Sequence, residues 1–452
     1  MADHILTTER EPEGDLLRFG LALATNGSTA GLEEVSPRDW DTMLYQSVRH
    51  GVTPLLYHRL ATTPAGVAVP PPVMQKLREA ALQDALRNMR LYHGLSEVLR
   101  TFQRDGIDVI VLKGAYLAEV VYGNRALRPM ADADLMVRTN DLARAEARLL
   151  EMGYNRPEST IDVDYATHHH LRPFVKPDTA TIEIHWTVAR PIIPFKIDVD
   201  GLWTRARPVV IADVAALALS PEDLLVHLCF HASFDHHFCF GLRPLCDLSA
   251  VIRHHRDQID WEEVRRRACE WSVEKYVYLT LRLARDLVDA GVPESLLDSL
   301  RPEGFDPQVI TWGRTEIFAD ERQTPSMSSN LAQMCGPKRL REKAALLLKR
   351  AFPPLDVMAR IYSVPLGSRR IYLFYPLRWR DLIRQYGRSA WRLLWRDDGV
   401  TSLAERENQR TALRHWLAVV DDRVDAPRTD GHASIEQQAG VTAPSCLVTA
   451  RQ

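Results

Sequence analysis

The spacing of apolar residues predicts helices on both sides of a region of short strands. Residues 15–60 carry apolar positions at helical spacing, and Ser36-Pro37 combines a helix cap with a first-turn proline. Residues 73–104 are rich in Leu, Ala, Arg and Gln and contain no proline, which predicts one long helix. Helical spacing returns after residue 200, and Ser220-Pro221 marks another helix start.

Between these helical regions, four short runs of apolar and β-branched residues predict strands. The runs occupy residues 107–112, 131–137, 171–176 and 179–186. Helix-like segments follow the first two runs, and the turn pair Pro177-Asp178 separates the last two, which favours a hairpin. The region from 107 to 186 is therefore predicted to contain both strands and helices.

Charge is unevenly distributed along the chain. The formal net charge is −2, but residues 338–396 carry fifteen Lys and Arg against three acids, interspersed with Trp, Tyr, Phe and Leu. Such a basic amphipathic segment can lie on an anionic membrane surface, bind nucleic acid or another polyanion, or pack on the core with its arginines exposed. These three interpretations stay open at this point.

The sequence also predicts the compartment. The N-terminus has no apolar signal core, and no apolar run approaches the roughly 18 residues that a transmembrane segment requires. None of the six cysteines forms a CxxC pair, so we expect reduced thiols. We therefore predict a cytoplasmic protein, peripheral to the inner membrane face if the basic segment binds lipid.

Two aspartates in the second predicted strand are the central chemical feature. Asp132 and Asp134 lie two residues apart, so strand alternation places both side chains on one face. Carboxylates this close repel each other and shift each other's pKa unless a positive charge lies between them. A divalent cation supplies that charge; Mg²⁺, with Mn²⁺ as the alternative, is usually held by carboxylates together with substrate phosphates.

Further residues could complete a site around these aspartates. Glu183 shares a face with His185 in the last predicted strand; on a neighbouring strand it would add a third carboxylate, or accept a proton from an attacking hydroxyl. Lys113 offers a point charge for a triphosphate, and Gly114 lets a phosphate approach the backbone. His185 and His231 are candidate pocket residues. His231 lies four residues after His227 on one helix face, so a zinc site and a plain helix-packing role are the alternatives for this pair.

The order of these motifs resembles a known family. VLKGAYLAEVVYGNRALRPMADADLMV (111–137), followed by IEIHW (182–186), resembles the uncharacterised bacterial nucleotidyltransferase family of the DNA polymerase beta superfamily. SPEDLLVHLCFHASFDHHFCFGLRPLCDLSAVI (220–252) resembles that family's helical portion. The resemblance covers roughly residues 15–300 and implies an α+β fold: a nucleotidyltransferase core with a small mixed sheet backed by helices, plus largely helical flanking domains.

The resemblance also implies roles for individual residues. It matches Asp132 and Asp134 to the metal-binding pair and Glu183 to the third acid. It matches Lys113 and Gly114 to the turn beside the phosphates, where the wider superfamily has a Gly-Ser turn. Arg128 matches the basic residue before the acids. The resemblance therefore implies that Asp132, Asp134 and Glu183 serve catalysis and metal binding, and that Lys113, Gly114 and Arg128 bind the nucleotide.

The expected function is metal-dependent transfer of a nucleoside monophosphate from a nucleoside triphosphate to a hydroxyl acceptor, in a biosynthetic or modification role. The alternatives are an antitoxin-like transferase that modifies a protein or tRNA partner, and a non-catalytic scaffold that keeps the fold. We expect five regions: N-terminal helices (1–70), catalytic core (71–200), helical domain (201–320), basic amphipathic helical segment (336–396) and disordered tail (425–452).

Overall fold

The computed structural model describes most of the chain up to residue 319 and parts of the remainder. The described residues are 36–62, 69–157, 168–191, 194–319, 352–355, 357–358, 369–380 and 398–418. Within them the chain forms two compact units, residues 36–310 and 311–418. The predictions for residues 1–35, for most of the segment 336–396 and for the tail 425–452 lie outside the described residues, and the five predicted regions remain predictions.

The first unit begins with the predicted helices. They are α1 (Pro37–Arg49), α2 (Thr53–Thr62) and α3 (Pro71–Arg104). At the start of α1 the Ser36 hydroxyl accepts a hydrogen bond from the Asp39 N–H, and the Asp39 carboxylate accepts one from the Ser36 N–H. This reciprocal cap satisfies two donors that the helix leaves free, so α1 begins where the sequence predicts.

A five-stranded mixed sheet lies at the centre of this unit. Its strands are β1 (Ile110–Val111), β2 (Asp132–Met136), β3 (Thr181–His185), β4 (Arg207–Ile211) and β5 (Val214–Ala218). The spatial order is β3-β2-β1-β5-β4. The pairs β2–β3 and β1–β5 are parallel, whereas β1–β2 and β4–β5 are antiparallel. The predicted mixed α+β fold is confirmed.

Short helices connect these strands. They are α4 (Lys113–Tyr116), which continues into a π-helical turn (Leu117–Val121); a 3-10 turn (Thr139–Asp141) leading into α5 (Leu142–Glu151); and α6 (Val199–Arg205). A π-helical turn inserts one extra residue per turn and is frequent at functional sites. The π-helical turn after α4 therefore marks the segment that begins at Lys113 as a candidate functional segment.

Two strand predictions need correction. Residues 171–176 do not form a strand; Phe174 makes an isolated bridge to Ile182 of β3, and the preceding His170 makes one to His185. The prediction of purely helical structure after residue 200 is wrong for residues 207–218, which form β4 and β5. The alanine-rich sequence of β5 has no strand-like alternation, so its pairing with β1 and β4 overrides its local preference.

The helices after the sheet complete the first unit. They are α7 (Pro221–Phe230), continuing into a π-helical turn (His231–Asp235), then α8 (Arg243–His254), α9 (Trp261–Glu270), α10 (Glu274–Val288) and α11 (Glu294–Leu300). The next helix is α12 (Gln308–Phe318), whose residues from Thr311 onward belong to the second unit. Every residue of α7 is buried, and the helix contacts α8, α9 and α10. A helix buried on all sides belongs to the core, so the polar residues on α7 are enclosed.

The second unit is described in part. Met358 and Ile371 form a small buried cluster with Phe374 and Tyr375, and the Tyr375 hydroxyl donates to the Pro353 carbonyl at 2.7 Å. A 3-10 turn (Arg369–Leu373) and the helix α13 (Asp398–Ala418) belong to this unit. Among all described helices, none combines the length and apolar character needed to cross a bilayer.

Candidate active site

The acidic residues of β2 and β3 lie side by side on one face of the sheet. The two strands are parallel, with Asp134 paired in register with Glu183 and Asp132 with Thr181. Since side chains alternate along each strand, Asp132, Asp134, Glu183 and His185 share a face. The sheet therefore brings together the acids that the sequence singles out.

His185 bridges the two central carboxylates. Its Nε2 lies 3.0 Å from Asp134 Oδ1 and 3.7 Å from Glu183 Oε2, and the ring is buried. Burial opposes protonation, but hydrogen bonds to both carboxylates raise the pKa of His185 above its ordinary value. The short contact between the ring and Asp134 fixes the orientation of that carboxylate.

Lys113 is the main cation of the site. Its Nζ lies 3.4 Å from Asp134 Oδ1 and 3.1 Å from His231 Nε2. Burial disfavours its charge, but the carboxylates of Asp134, Glu183, Asp132 and Asp235 together hold its pKa above the ordinary value. The backbone of Lys113 has a φ of 36°, a conformation that non-glycine residues rarely adopt and that often marks a functional position.

Asp134 and Asp132 respond to this environment in opposite directions. Burial would raise the pKa of Asp134, but Lys113 and His185 hold it well below its ordinary value. Burial and the charges of Asp134 and Glu183 raise the pKa of Asp132 to about 7. The difference shows that the nearby cations offset the charge of Asp134 but leave the acid cluster with an excess of negative charge.

Arg128 is fixed beside the turn that follows β1. Its Nε and Nη2 donate to both oxygens of Asp247 at 2.9–3.1 Å. Its Nη1 lies 2.9 Å from the position that a Cβ on residue 114 would occupy, so any side chain at Gly114 would collide with the guanidinium. Gly114 is therefore required for close packing of Arg128, in addition to any contact with a phosphate.

The π-helical turn after α7 contributes a second polar group. His231 Nε2 lies 3.0 Å from His236 Nε2, and burial together with the charge of Lys113 lowers the pKa of His231 and brings that of His236 to about 3. Both oxygens of Asp235 are buried without a hydrogen-bond partner among the described residues. Burial raises the pKa of Asp235 to about 6, and Lys113 partly offsets that effect.

The donor atoms of β2 and β3 fit a divalent cation. Asp134, Glu183 and His185 each present a ligand atom, and these atoms lie within 4.8 Å of one another. In the part of the chain that the structure describes, this is the one such group, so His227 and His231 do not form a zinc site of three ligands there. Two or three carboxylates with excess negative charge suit Mg²⁺ or Mn²⁺.

The structure therefore brings together most of the predicted site and adds to it. Asp132 lies on the same face as Asp134 but outside the three-ligand group, whereas His185, predicted only as a pocket residue, lies within it. The sequence prediction missed Asp235 as a site residue. The signal available in the sequence was its position among three histidines in HASFDHH (231–237).

A comparison with protein-family models places this geometry in context. The model of the uncharacterised nucleotidyltransferase family matches residues 36–289, which is more than half of the chain. The chain belongs to this family. As a member of the nucleotidyltransferase family it is an enzyme of the transferase class, and the match includes the sheet, α7, α8 and every site residue named above.

Other comparisons add little about this nucleotidyltransferase. Among solved structures, the solution structure of the antibiotic-resistance factor ANT(2″)-Ia is similar over 42% of this chain and 95% of its own, with 14% identity and a TM-score of 0.30. No curated protein matches the chain. The family match therefore supports nucleoside monophosphate transfer in general, without a substrate.

Proposed function

We propose that this nucleotidyltransferase uses a divalent cation, held by Asp132, Asp134 and Glu183, to transfer a nucleoside monophosphate from a triphosphate to a hydroxyl acceptor. The observation that carries the proposal is the in-register pairing of Asp134 with Glu183 beneath Lys113. Three carboxylates on one face, with excess negative charge, can hold a divalent cation, and the cation can in turn bind the phosphates of the triphosphate.

The cation would be bound by carboxylate oxygen atoms of Asp132, Asp134 and Glu183. When bound, Mg²⁺ or Mn²⁺ would offset charge on the triphosphate and stabilise the charge that develops in phosphoryl transfer. His185 contributes by holding Asp134 in place through its 3.0 Å hydrogen bond. A positioned second partner of this kind sets the orientation of a metal-binding carboxylate.

Lys113 and Arg128 are proposed to bind the phosphates. The carboxylates around Lys113 keep it charged despite burial, so it can act as a fixed positive charge for a triphosphate. Arg128 lies against Gly114, and its Nη1 takes no part in the contact with Asp247. Both cations come from the loop and helix next to β1 and β2, so one rigid region would orient the donor.

Glu183 is proposed to accept the proton of the acceptor hydroxyl. The hydroxyl oxygen would form a bond to the α-phosphorus, the bond from that phosphorus to the bridging oxygen would break, and pyrophosphate would leave. His231 and His185 would line the pocket on either side of Lys113. The acceptor and the donor base are not specified by these contacts.

We further propose a cytoplasmic location and a biosynthetic or modification role. The free thiols of Cys229, Cys239, Cys246 and Cys269 are consistent with a reducing compartment. The basic segment 336–396 is proposed to bind an anionic membrane surface or a polyanion, on the basis of its charge.

The proposal is tested by incubating the full chain with each of the four α-labelled triphosphates and Mg²⁺ or Mn²⁺, and measuring pyrophosphate release. We expect pyrophosphate release to require the cation. We expect Asp134→Asn to lower the rate of release by at least about 100-fold. Asp257→Asn is the matched control, since Asp257 is an exposed acid far along the chain from the site. Release unchanged in Asp134→Asn would refute the proposed chemistry.

The same assay separates the alternatives. Label appearing on a protein or tRNA partner would favour a transferase of the antitoxin-like class. Absence of both nucleotide binding and pyrophosphate release with every triphosphate would favour a scaffold that keeps the fold.

A further inference from the structure

We propose that Asp247, on α8, is a positioning residue for triphosphate binding that acts through Arg128. The inference rests on the proposed function, because that function assigns Arg128 to the phosphates. Asp247 is 119 residues from Arg128 in the chain and belongs to the helical region rather than to the strands of the site.

Asp247 holds the Arg128 guanidinium in one orientation. Its Oδ1 accepts from Nε at 3.0 Å, and its Oδ2 accepts from Nε at 3.1 Å and from Nη2 at 2.9 Å. The Tyr122 hydroxyl donates to Oδ1 at 3.0 Å, which fixes the carboxylate in turn. A two-atom contact of this kind removes most of the rotational freedom of an arginine side chain.

The backbone that carries Arg128 is also held. The side-chain amide of Asn88, on α3, donates to the carbonyls of Arg128 at 2.8 Å and Arg125 at 2.6 Å. The Asn88 Oδ1 accepts from the Met130 N–H at 3.2 Å. Arg128 is thus anchored at its backbone by α3 and at its Nε side by α8, and its Nη1 takes no part in the contact with Asp247.

The position of Nη1 is what links this contact to the site. It lies 2.9 Å from the point that a Cβ on Gly114 would occupy, directly after Lys113. If Asp247 were absent, the guanidinium could rotate away from Gly114 and lose this position. Asp247 therefore holds one N–H pair of Arg128 against Gly114, the residue that follows Lys113 in the chain.

A buried ion pair elsewhere in the same unit provides the comparison. Asp223 is as buried as Asp247 and pairs with Arg205 at 3.0 Å and Arg267 at 2.9 Å, but none of these residues borders the acid cluster. A buried ion pair of this kind adds little net stability to the fold, because the cost of removing both charges from water offsets their attraction. Asp223→Asn therefore reports what loss of a buried pair does without a role in the site.

The test is a double-mutant cycle on triphosphate affinity, measured by calorimetry with the α,β-methylene analogues of ATP, GTP, CTP and UTP and Mg²⁺. We expect Asp247→Asn and Arg128→Met each to weaken binding by about tenfold or more, which corresponds to about 1.4 kcal/mol per tenfold. The double variant should bind no more weakly than Arg128→Met alone, because Asp247 acts only through Arg128. Asp223→Asn should lower thermal stability and leave affinity unchanged.

Each other outcome overturns the inference. Additive losses in the double variant would show that Asp247 acts independently of Arg128, and an unchanged affinity in Asp247→Asn would show no role in binding. If Arg128→Met does not fold, Arg128→Lys replaces it, since lysine keeps the charge but cannot make the two-atom contact. A wild-type chain that binds none of the analogues would refute the proposed function itself, which distinguishes the two failures.

Discussion

Replacing Asp235 by asparagine should stabilise the protein. Both oxygens of Asp235 are buried without a hydrogen-bond partner in the described part of the chain, and burial raises its pKa from 3.8 to about 6. Because the folded pKa is raised, ionisation of Asp235 disfavours the folded state, fully above pH 6 and hardly at all below pH 4. Removing that charge removes the penalty.

The magnitude follows from the pKa. A rise of about two units corresponds to about 3 kcal/mol at pH 8, falling to roughly half that at pH 5, where the folded carboxyl is largely protonated. For a unit of this size, about 3 kcal/mol raises the melting temperature by about 5 °C. Asp235→Asn is expected to give this gain at pH 8.

Thermal unfolding followed by circular dichroism at pH 8 and pH 5 measures the effect. Asp223→Asn is the matched control. Asp223 is buried, but it accepts hydrogen bonds from Ser220 and Arg205 and forms an ion pair with Arg267, so the same substitution there should lower the melting temperature. The reasoning fails if Asp235→Asn leaves the melting temperature unchanged or lowers it at pH 8. It also fails if the gain is the same at both pH values.

Two further predictions concern the cation and the phosphate side of the site. Burial, Asp134 and Glu183 raise the pKa of Asp132 to about 7. Mn²⁺ binding should therefore release a proton, and the affinity for Mn²⁺ should rise about tenfold between pH 6 and pH 8. Calorimetry in buffers of different ionisation enthalpy measures this, and an affinity independent of pH would contradict it. Gly114→Ala should weaken triphosphate binding, because the new Cβ would displace Arg128. The control is Gly291→Ala, whose Cβ would meet only Ile252 at 3.9 Å and should leave the affinity unchanged. Equal affinities in the two variants would count against the role of Arg128.

The part of the site that the sequence predicts depends on local periodicity. Asp132, Asp134, Glu183 and His185 share a face because strand alternation has a period of two, and the strands containing them are visible as apolar runs. The parallel register that pairs Asp134 with Glu183 is a long-range property, so the sequence supports it only through the family resemblance.

The remaining features depend on contacts between distant segments. Arg128 is fixed by Asp247 from a helix more than one hundred residues later, and no local pattern encodes that pairing. The contact of the Lys113 ammonium with His231 joins residues 118 positions apart, so the local pattern around Lys113 does not predict it. The strands β4 and β5 were missed for the same kind of reason, since partner strands rather than side-chain alternation hold the alanine-rich β5.

The most direct measurement is Mn²⁺ binding, followed by electron paramagnetic resonance, in the presence of an α,β-methylene triphosphate. It compares the wild-type chain with a variant that carries Asp134→Asn and Glu183→Gln. If the carboxylates of β2 and β3 hold the cation, the wild type should bind Mn²⁺ and the variant should bind it at least about 100-fold more weakly. Equal Mn²⁺ binding by a folded variant would contradict the account.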